Sequence, residues 1–281
     1  MESKVKDHYN TDNLVHTIKV ALVTAKKDLS DLQLKDLSPI DQLHTGGARS
    51  SIELLKKARL FPGALVLDAG CGIGGSSRLL AKNFNCKVIG IDLADRFIEA
   101  AAFLTQGTHL ENQVEYQQGS VLELPFEDHF FDAVLCQHIL MNIEDKSSAI
   151  KEFSRVLKPG GRLILHEITQ GDNTPLLFPV PWAANSSISY LEPWDTLFAI
   201  IEAQGFETEF YSDETRSAGI WWEKVRTVSQ EKSPEGSSLG PGLIFGKNAK
   251  VFGKNMSSNL KNNSICLIEA ILKKKYTESY F

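Results

Sequence analysis

Residues 66–77 read VLDAGCGIGGSS, and this stretch joins a short apolar run to the start of an amphipathic helical pattern. An apolar run, a glycine loop and a helix in that order predict the strand–loop–helix turn of a parallel α/β sheet. Glycine allows a tight turn and a close approach of the backbone to a ligand. The stretch therefore predicts a ligand site at the carboxyl end of a strand, formed by Asp68, Gly70, Gly72, Gly74 and Gly75.

Two ligand patterns fit the spacing of this loop. Gly70, Gly72 and Gly75 match G-x-G-x-x-G, which holds the pyrophosphate of a dinucleotide at a helix N-terminus. Together with Asp68, the glycines also match D-x-G-x-G-x-G, the pattern for S-adenosylmethionine (SAM). A carboxylate beside the loop opposes an anionic pyrophosphate and suits a sulfonium and an ammonium group, so Asp68 favours SAM. Asp92 ends the apolar run KVIGID and fits an acid that bridges two ribose hydroxyls in either ligand.

The composition of the chain excludes several other classes of protein. Its 281 residues are 42% hydrophobic and 23% charged, which is ordinary for a globular protein. The formal net charge is -5 without a dense basic block, so we expect no nucleic-acid partner. No apolar run approaches the roughly 18 residues of a membrane span, and the N-terminus shows no secretory signal, so we expect a cytoplasmic protein without membrane insertion. The four cysteines lack metal-ligand spacing, so no metal is expected.

Strand and helix patterns alternate between residues 60 and 170. The order β-α-β-α-β-β-α-β, with one crossover helix missing or short between VEYQQ and FDAVLCQ, predicts a parallel sheet covered on both faces. We expect residues 1–59 to be an N-terminal helical cap, 60–170 the ligand-binding core, and 171–281 a substrate cap with the final strands of the same domain. Three stretches are predicted without helix or strand: the polar connection between the two N-terminal helices, the turn Lys158–Gly161, and a flexible linker at 231–242.

The stretches EYQQGSVLELPFEDHFFDAVLCQ and KPGGRLIL resemble the region around the third, fourth and fifth strands of class I SAM-dependent methyltransferases. The resemblance implies a Rossmann-like seven-stranded sheet, mostly parallel with an antiparallel last strand, and helices on both faces. It implies SAM as cofactor and S-adenosylhomocysteine (SAH) as product. Many members of this family carry an acid where this chain has Ser120, whose hydroxyl can still accept a hydrogen bond from the adenine amino group. The implied cofactor-binding residues are Asp68, Gly70, Cys71, Gly72, Gly74, Asp92, Leu93, Ser120, Val121 and Gln137.

The segments DQLHTGG, QHILMNIEDK and FPVPWA resemble a narrower group within that family. This group contains small-molecule methyltransferases of the ubiquinone-biosynthesis type and sarcosine/dimethylglycine N-methyltransferases. In it the segment before the first strand folds over the cofactor, which makes Gln42 and His44 candidates to contact SAM or to close the site. His138 is a candidate general base with an ordinary pKa of about 6.5, and His44 is a second. The alternative for Gln42 and His44 is an ordinary helix-capping loop, and the alternative for His138 is a packed, hydrogen-bonded histidine.

All four tryptophans lie in one late stretch of the chain, and Tyr190 lies among them. Their faces could surround an ammonium group through cation–π attraction, or they could bury area in a lid over the site. A substrate with a carboxylate would also need a cation, for which Arg216 and Arg49 are candidates. The candidate substrate-binding residues are Trp182, Tyr190, Trp194, Trp221, Trp222 and Arg216.

The sequence predicts a methyltransferase that acts on a small molecule, with an amine such as sarcosine or dimethylglycine, methylated towards betaine, as the best match. The first alternative is an O- or C-methyltransferase of an aromatic or lipidic metabolite. The second is a SAM-binding regulatory protein without catalysis, and an NAD-dependent oxidoreductase fits only the glycine spacing. We expect a small-molecule partner and a monomer or homodimer.

Overall fold

One seven-stranded sheet organises the computed structural model, which describes residues 2–9, 13–173, 175–231 and 239–276. The strands follow the spatial order β3-β2-β1-β4-β5-β7-β6. All pairs from β3 to β5 are parallel, whereas β7 runs antiparallel to both of its neighbours. The predicted sheet is confirmed. The strands are β1 Leu65–Ala69, β2 Lys87–Asp92, β3 Val114–Gln118, β4 Phe131–Gln137, β5 Leu157–Gln170, β6 Phe206–Asp213 and β7 Ile265–Lys274.

Helices cover both faces of the sheet. Side chains of a strand alternate between its two faces, so Leu67 and Leu163 pack on one face and Val66 and Ile164 on the other. Because both faces are buried, the central strands are nearly continuous apolar runs. The helices are α1 Glu2–Tyr9, α2 Leu14–Thr24, α3 Leu34–Asp41, α4 Gly47–Lys57, α5 Gly75–Phe84, α6 Asp95–Gly107, α7 Lys146–Val156, α8 Trp194–Ala203, α9 Thr215–Glu231, α10 Gly242–Phe245 and α11 Ala249–Lys261.

The strand order places the functional region at the middle of the sheet. The chain moves outward from β1 to β2 and β3, and then returns to β4 on the other side of β1. Ligands of open α/β sheets bind outside the carboxyl ends of the strands at such a reversal. In this protein the reversal lies between β1 and β4, where the glycine loop begins.

Elements from distant parts of the sequence cover that end of the sheet. Val5 of α1 packs in one cluster with Trp182, Trp222 of α9 and Phe252 of α11. A second cluster joins α2 and α3 to α6. We call these packed segments, which precede the first strand and follow the fifth, the cap.

Two details differ from the sequence prediction, and one agrees with it. The connection between the two N-terminal helices contains α3, which is only eight residues long and includes Pro39, so its helical pattern is weak. The turn Lys158–Gly161 lies within β5 as an irregularity, with Gly160 at a φ of 76°. Residues 119–130 contain turns and no helix, as expected for the missing crossover. The predicted linker falls mostly outside the described residues.

Within the described ranges, no helix combines the length and apolar character needed to cross a lipid bilayer.

Candidate active site

A cavity opens at the carboxyl ends of β1, β2 and β4, beneath the cap. Its empty volume is about 1150 Å³, including its mouth. Its walls are mostly apolar, with side chains such as Phe97, Ile139, Met141, Trp182 and Phe245.

The glycine loop forms the floor of the cavity between β1 and α5. The amide nitrogens of Gly70 and Cys71 both donate to the carbonyl oxygen of Ile91, at 2.8 and 2.9 Å. Gly70 has a φ of 73°, and a Cβ placed there would lie 2.0 Å from Ile139 Cδ1. Gly74 has a φ of 83°, and a Cβ there would lie 2.2 Å from Tyr116 Oη. Both glycines are thus required by backbone conformation and by close packing.

Two carboxylates flank the loop, buried Asp68 and half-buried Asp92. Asp68 accepts a hydrogen bond of 2.5 Å from Ser77 Oγ, and burial raises the pKa of Asp68 to about 6. Asp92 accepts from the amides of Gly72 and Ala94, each at 2.9 Å, and burial raises its pKa as well. Both acids line the cavity, and the negative charge of Asp92 further raises the pKa of Asp68. A ligand that carries positive charge or hydroxyl donors would compensate this pair, whereas a pyrophosphate would not.

A chain of polar side chains connects the end of β4 to the segment before β1. Ser76 Oγ donates to Gln137 Oε1 over 2.6 Å, and Gln137 Nε2 donates to Ser51 Oγ over 3.1 Å. Ser51 Oγ lies 2.7 Å from His44 Nε2. The segment that contains His44 is thereby held against the cavity wall. Burial, and then the charge of His166, lower the pKa of His44 to about 3.

Three histidines cluster beside this chain. The ring centroids of His138 and His166 are 5.1 Å apart, and those of His44 and His166 are 5.6 Å apart. Burial holds the pKa of His138 well below its ordinary value, and the other two rings add to this effect. His138 is therefore neutral at physiological pH, and its buried Nε2 has no hydrogen-bond partner in the described structure. Because His138 lines the cavity, it is a candidate proton acceptor there.

The N-terminal helix α1 closes the cavity from above. Val5, Lys6 and Tyr9 line it. Tyr9 Oη donates to Asn142 Oδ1 over 3.2 Å, and Ser120 Oγ donates to the Glu2 carboxylate. Hydrogen bonds at both ends of α1 thus attach it to loops that follow β3 and β4.

The structure brings most of the predicted cofactor residues to this one cavity. Among those outside the lining, Gly74 ends the loop, and Ser120 contacts α1. Gln42 packs against Gly75 while its neighbour Asp41 lines the cavity and pairs with Arg78 at 2.8 Å. The predicted residues in the lining are Asp68, Gly70, Cys71, Gly72, Asp92, Leu93, Val121, Gln137, His44 and His138.

The predicted aromatic residues do not meet around the cavity. Trp182 lines it, whereas Trp194 stacks on Phe198 at 5.7 Å between ring centroids. Trp222 donates to Thr45 Oγ1 over 3.2 Å and contacts Trp221 edge to face, in the cluster around Trp182.

The polar members of the predicted substrate set also lie elsewhere. Tyr190 donates its hydroxyl proton to the Ser187 carbonyl oxygen over 3.1 Å. Arg216 lies on a separate groove between α9 and α11. Among the described residues, no arginine lines the main cavity.

Sequence reasoning missed several residues that shape the site. Tyr9 lies in a polar N-terminal segment without a motif, Asn142 follows the predicted fourth strand, and Glu167 lies shortly after the stretch KPGGRLIL. Asn142 belongs to the stretch QHILMNIEDK. A polar residue among apolar ones after a strand was the signal that could have identified it. Ser77 follows the glycine loop, and its bond to Asp68 depends on the first turn of α5.

Comparison with known proteins gives consistent results. A family model described as a methyltransferase domain matches residues 67–165. Phosphoethanolamine N-methyltransferase 1 of Zea mays is 34% identical over 131 residues, which are 47% of this chain and 26% of that protein. Glycine/sarcosine/dimethylglycine N-methyltransferase of Actinopolyspora halophila is 29% identical over 136 residues, which are 48% of this chain and 24% of that protein. The chain matches about a quarter of the length of these relatives.

A solved structure extends the fold similarity to nearly the whole chain. Phosphoethanolamine N-methyltransferase 2 of Haemonchus contortus, in complex with SAM, has a TM-score of 0.69 and 19% identity. The alignment covers 95% of this chain and 61% of that one. At this identity the similarity establishes a shared fold.

Proposed function

We propose that this chain, whose residues 67–165 match a family model described as a methyltransferase domain, transfers the methyl group of SAM to a small and largely apolar acceptor. The observation that carries the proposal is a pair of acids, buried Asp68 and half-buried Asp92, beside a glycine loop in a cavity with mostly apolar walls. When bound, SAM supplies a methyl carbon activated by a positively charged sulfur.

The residues of the cavity fit this cofactor. Asp92 holds the loop at Gly72 with one oxygen and α6 at Ala94 with the other, and both oxygens retain lone pairs for ribose hydroxyls. Asp68 lies where a carboxylate offsets positive charge on the methionine half. Gln137 is fixed by Ser76 and Ser51 at the end of β4, so it presents a preset polar group to the same half.

At the adenine end, α1 supplies an acid that the chain lacks at position 120. The resemblance to class I methyltransferases implies that adenine would lie beside Ser120 and Val121. The Ser120 hydroxyl donates to Glu2, so the Glu2 carboxylate is held at that end of the cavity. We propose that Glu2 takes over the part of the acid that many relatives carry at the Ser120 position.

The chain promotes the transfer chiefly by alignment and by exclusion of water. Holding two reactants in line can contribute roughly 7–11 kcal/mol. Trp182, Met141 and α1 separate the reacting end from solvent. Neutral His138, which lines the cavity, accepts the proton when the acceptor is a hydroxyl or a carbon acid. His44 is held by Ser51 and shapes the wall beside it.

The walls favour an uncharged acceptor over an amino acid. A carboxylate or phosphate needs a cation, and among the described lining residues the only cationic side chain is that of Lys6, which pairs with Asp95 at 3.4 Å. Of the tryptophans and Tyr190 predicted to surround a methylated ammonium group, only Trp182 lines the cavity, together with Tyr9, Phe97 and Phe245. Of the two acceptor classes that the sequence allows, an aromatic or lipidic metabolite therefore fits better.

An amine of the sarcosine or dimethylglycine kind is the second candidate. It is supported by the 29% identity to the Actinopolyspora enzyme, over 48% of this chain. An amine that arrives unprotonated needs no base of this chain, so His138 would be dispensable for it.

The test is a methyl-transfer assay with SAM that carries a deuterated methyl group, analysed by mass spectrometry. The acceptor panel holds hydroxylated aromatics, prenyl alcohols, sarcosine and dimethylglycine. Deuterated product from the uncharged acceptors supports the proposal. Product from sarcosine or dimethylglycine alone would replace it with the second candidate, and bound SAM with no product across a wide panel would indicate a SAM-binding regulatory protein.

A further inference from the structure

The turn of residues 138–143, which follows β4, forms one wall of the cavity. It starts at His138 with a φ of 55°, a left-handed conformation that is costly for a residue with a side chain. Ile139 packs onto Gly70 of the glycine loop. Asn142 receives the hydrogen bond of Tyr9 and donates to the carbonyl oxygens of Trp182 and Ile188, at 2.9 and 2.7 Å. This turn thus connects the cofactor loop, α1 and the later cap.

Glu167 of β5 lies directly beneath the turn and is fully buried. Its Oε1 accepts from the Ile139 amide over 3.0 Å and from the Cys136 thiol over 3.3 Å. Its Oε2 is buried without a hydrogen-bond partner in the described structure. One oxygen of this buried carboxylate accepts a hydrogen bond from a strained turn, and the other has no hydrogen-bond partner. This arrangement requires an explanation beyond packing.

We propose that the Glu167 carboxylate positions the turn of residues 138–143, and that its protonation loosens the turn and the cavity wall that the turn forms. Glu167 is a positioning residue in this account, because it acts through the backbone of Ile139 and does not line the cavity.

The physical basis is the strength of a charge-assisted hydrogen bond. An ionised carboxylate binds a backbone amide about twice as strongly as a neutral acid does. A proton added at the unpartnered Oε2 leaves a neutral carbonyl oxygen facing the Ile139 amide. The bond then weakens, and His138 is free to leave its left-handed conformation.

The surroundings of Glu167 place this change near neutrality. Burial raises the pKa of Glu167 to about 7, against the opposing effects of the Ile139 and Leu140 amides, Cys136 and Lys146. Cys136 faces it from β4 with a thiol whose pKa is raised by burial, and Lys146 faces it from α7. His138 of the turn is neutral, and β7 places uncharged Ile268 opposite Glu167. The turn is therefore held by the ionised carboxylate above about pH 7, and it loosens as the pH falls through that value.

This inference does not rest on the proposed methyl transfer. The turn can be observed without cofactor, acceptor or activity, so failure of the proposed function leaves the inference testable.

The experiment measures hydrogen-exchange protection of the Ile139 and Leu140 amides in the ligand-free full chain, corrected for the pH dependence of intrinsic exchange. We expect protection to rise about fivefold from acid to alkaline pH, with a midpoint near that of Glu167. In Glu167→Gln, whose amide oxygen makes only a neutral bond, protection should stay at the acid level throughout. The matched control is Glu152→Gln, because Glu152 accepts from the Leu124 amide at 2.8 Å outside the cavity.

Comparison of global stability with turn protection supplies a readout that a purely structural role would not reproduce, because the two should depend on pH in opposite directions. Because burial raises the pKa of Glu167, its contribution to the free energy of unfolding falls as the pH rises from about 4.5 to about 7. Turn protection should change in the opposite direction. The inference is overturned when wild-type protection does not depend on pH across this range, or when the same dependence persists in Glu167→Gln. The wild-type titration decides this even where the variant does not fold.

Discussion

The Tyr9 hydroxyl donates a hydrogen bond of 3.2 Å to Asn142 Oδ1 and so attaches α1 to the turn after β4. The two residues are 133 positions apart in sequence, and both line the cavity. The side-chain amide of Asn142 also holds two carbonyl oxygens of the later cap. One buried asparagine thus connects the N-terminal helix, the sheet and the cap above the site.

Removal of the Tyr9 hydroxyl should loosen α1 without loss of the fold. A hydrogen bond of this kind contributes about 1 kcal/mol, so Tyr9→Phe should speed the dissociation of SAH about fivefold. Stopped-flow fluorescence measures the rate. Tyr190→Phe is the matched control, since the Tyr190 hydroxyl bonds to the Ser187 carbonyl oxygen outside the cavity. Equal dissociation rates for wild type and Tyr9→Phe would show that α1 does not retain the ligand.

The affinity for SAM should depend on the ionisation of Asp68. Burial raises the pKa of Asp68 to about 6, and an ionised carboxylate attracts the cationic ligand. Affinity should be constant above that pH and should fall, by up to about tenfold per unit, as the pH drops below it. Calorimetric titration at several pH values measures this. In Asp68→Asn the acid limb should vanish, whereas Asp132→Asn, which alters a carboxylate bonded to the Leu65 amide, should keep it.

Gly70 should tolerate no side chain. A Cβ at this position adds left-handed strain and a clash with Ile139 Cδ1 at 2.0 Å. Gly70→Ala should lower the free energy of unfolding by about 1–3 kcal/mol more than strain alone, as overpacking does. Gly63→Ala isolates the strain, because Gly63 has a φ of 86° with open space around it. Chemical denaturation compares the two, and equal losses would exclude the close contact between the glycine loop and the turn.

His138 should affect transfer and leave cofactor binding unchanged. With a hydroxyl or carbon-acid acceptor, His138→Asn should lower kcat by about a hundredfold or more, the usual contribution of a general base. Because the pKa of His138 is well below its ordinary value, the rate should show no limb from this residue near pH 6.5. Exposed His16→Asn serves as the control. An unchanged kcat would remove His138 from the mechanism.

The sequence predicted the sheet and the cofactor end of the cavity because both depend on local patterns. Apolar runs that end in Asp68, Asp92 and Gln137 identify parallel strands whose carboxyl ends meet, and the glycine loop marks the reversal point. These are relations over a few residues, and the fold brings them together without long-range information.

The rest of the site depends on contacts that no local pattern encodes. The position of Tyr9 above Asn142 and that of Glu167 beneath Ile139 follow from the packing of distant segments. The tryptophans illustrate the same limit. Their shared stretch suggested one enclosure, but α8 directs Trp194 towards Phe198 and Tyr211, while Trp222 packs behind Trp182.

Calorimetric titration of SAH into wild type, Asp92→Asn and Asp132→Asn tests the central claim most directly, with NADH as the competing ligand. The account predicts that SAH binds wild type and Asp132→Asn with equal affinity. It also predicts at least about tenfold weaker binding to Asp92→Asn, which loses charge and acceptor capacity at the ribose position. Binding of NADH without SAH, or equal affinity of SAH for wild type and Asp92→Asn, would contradict it.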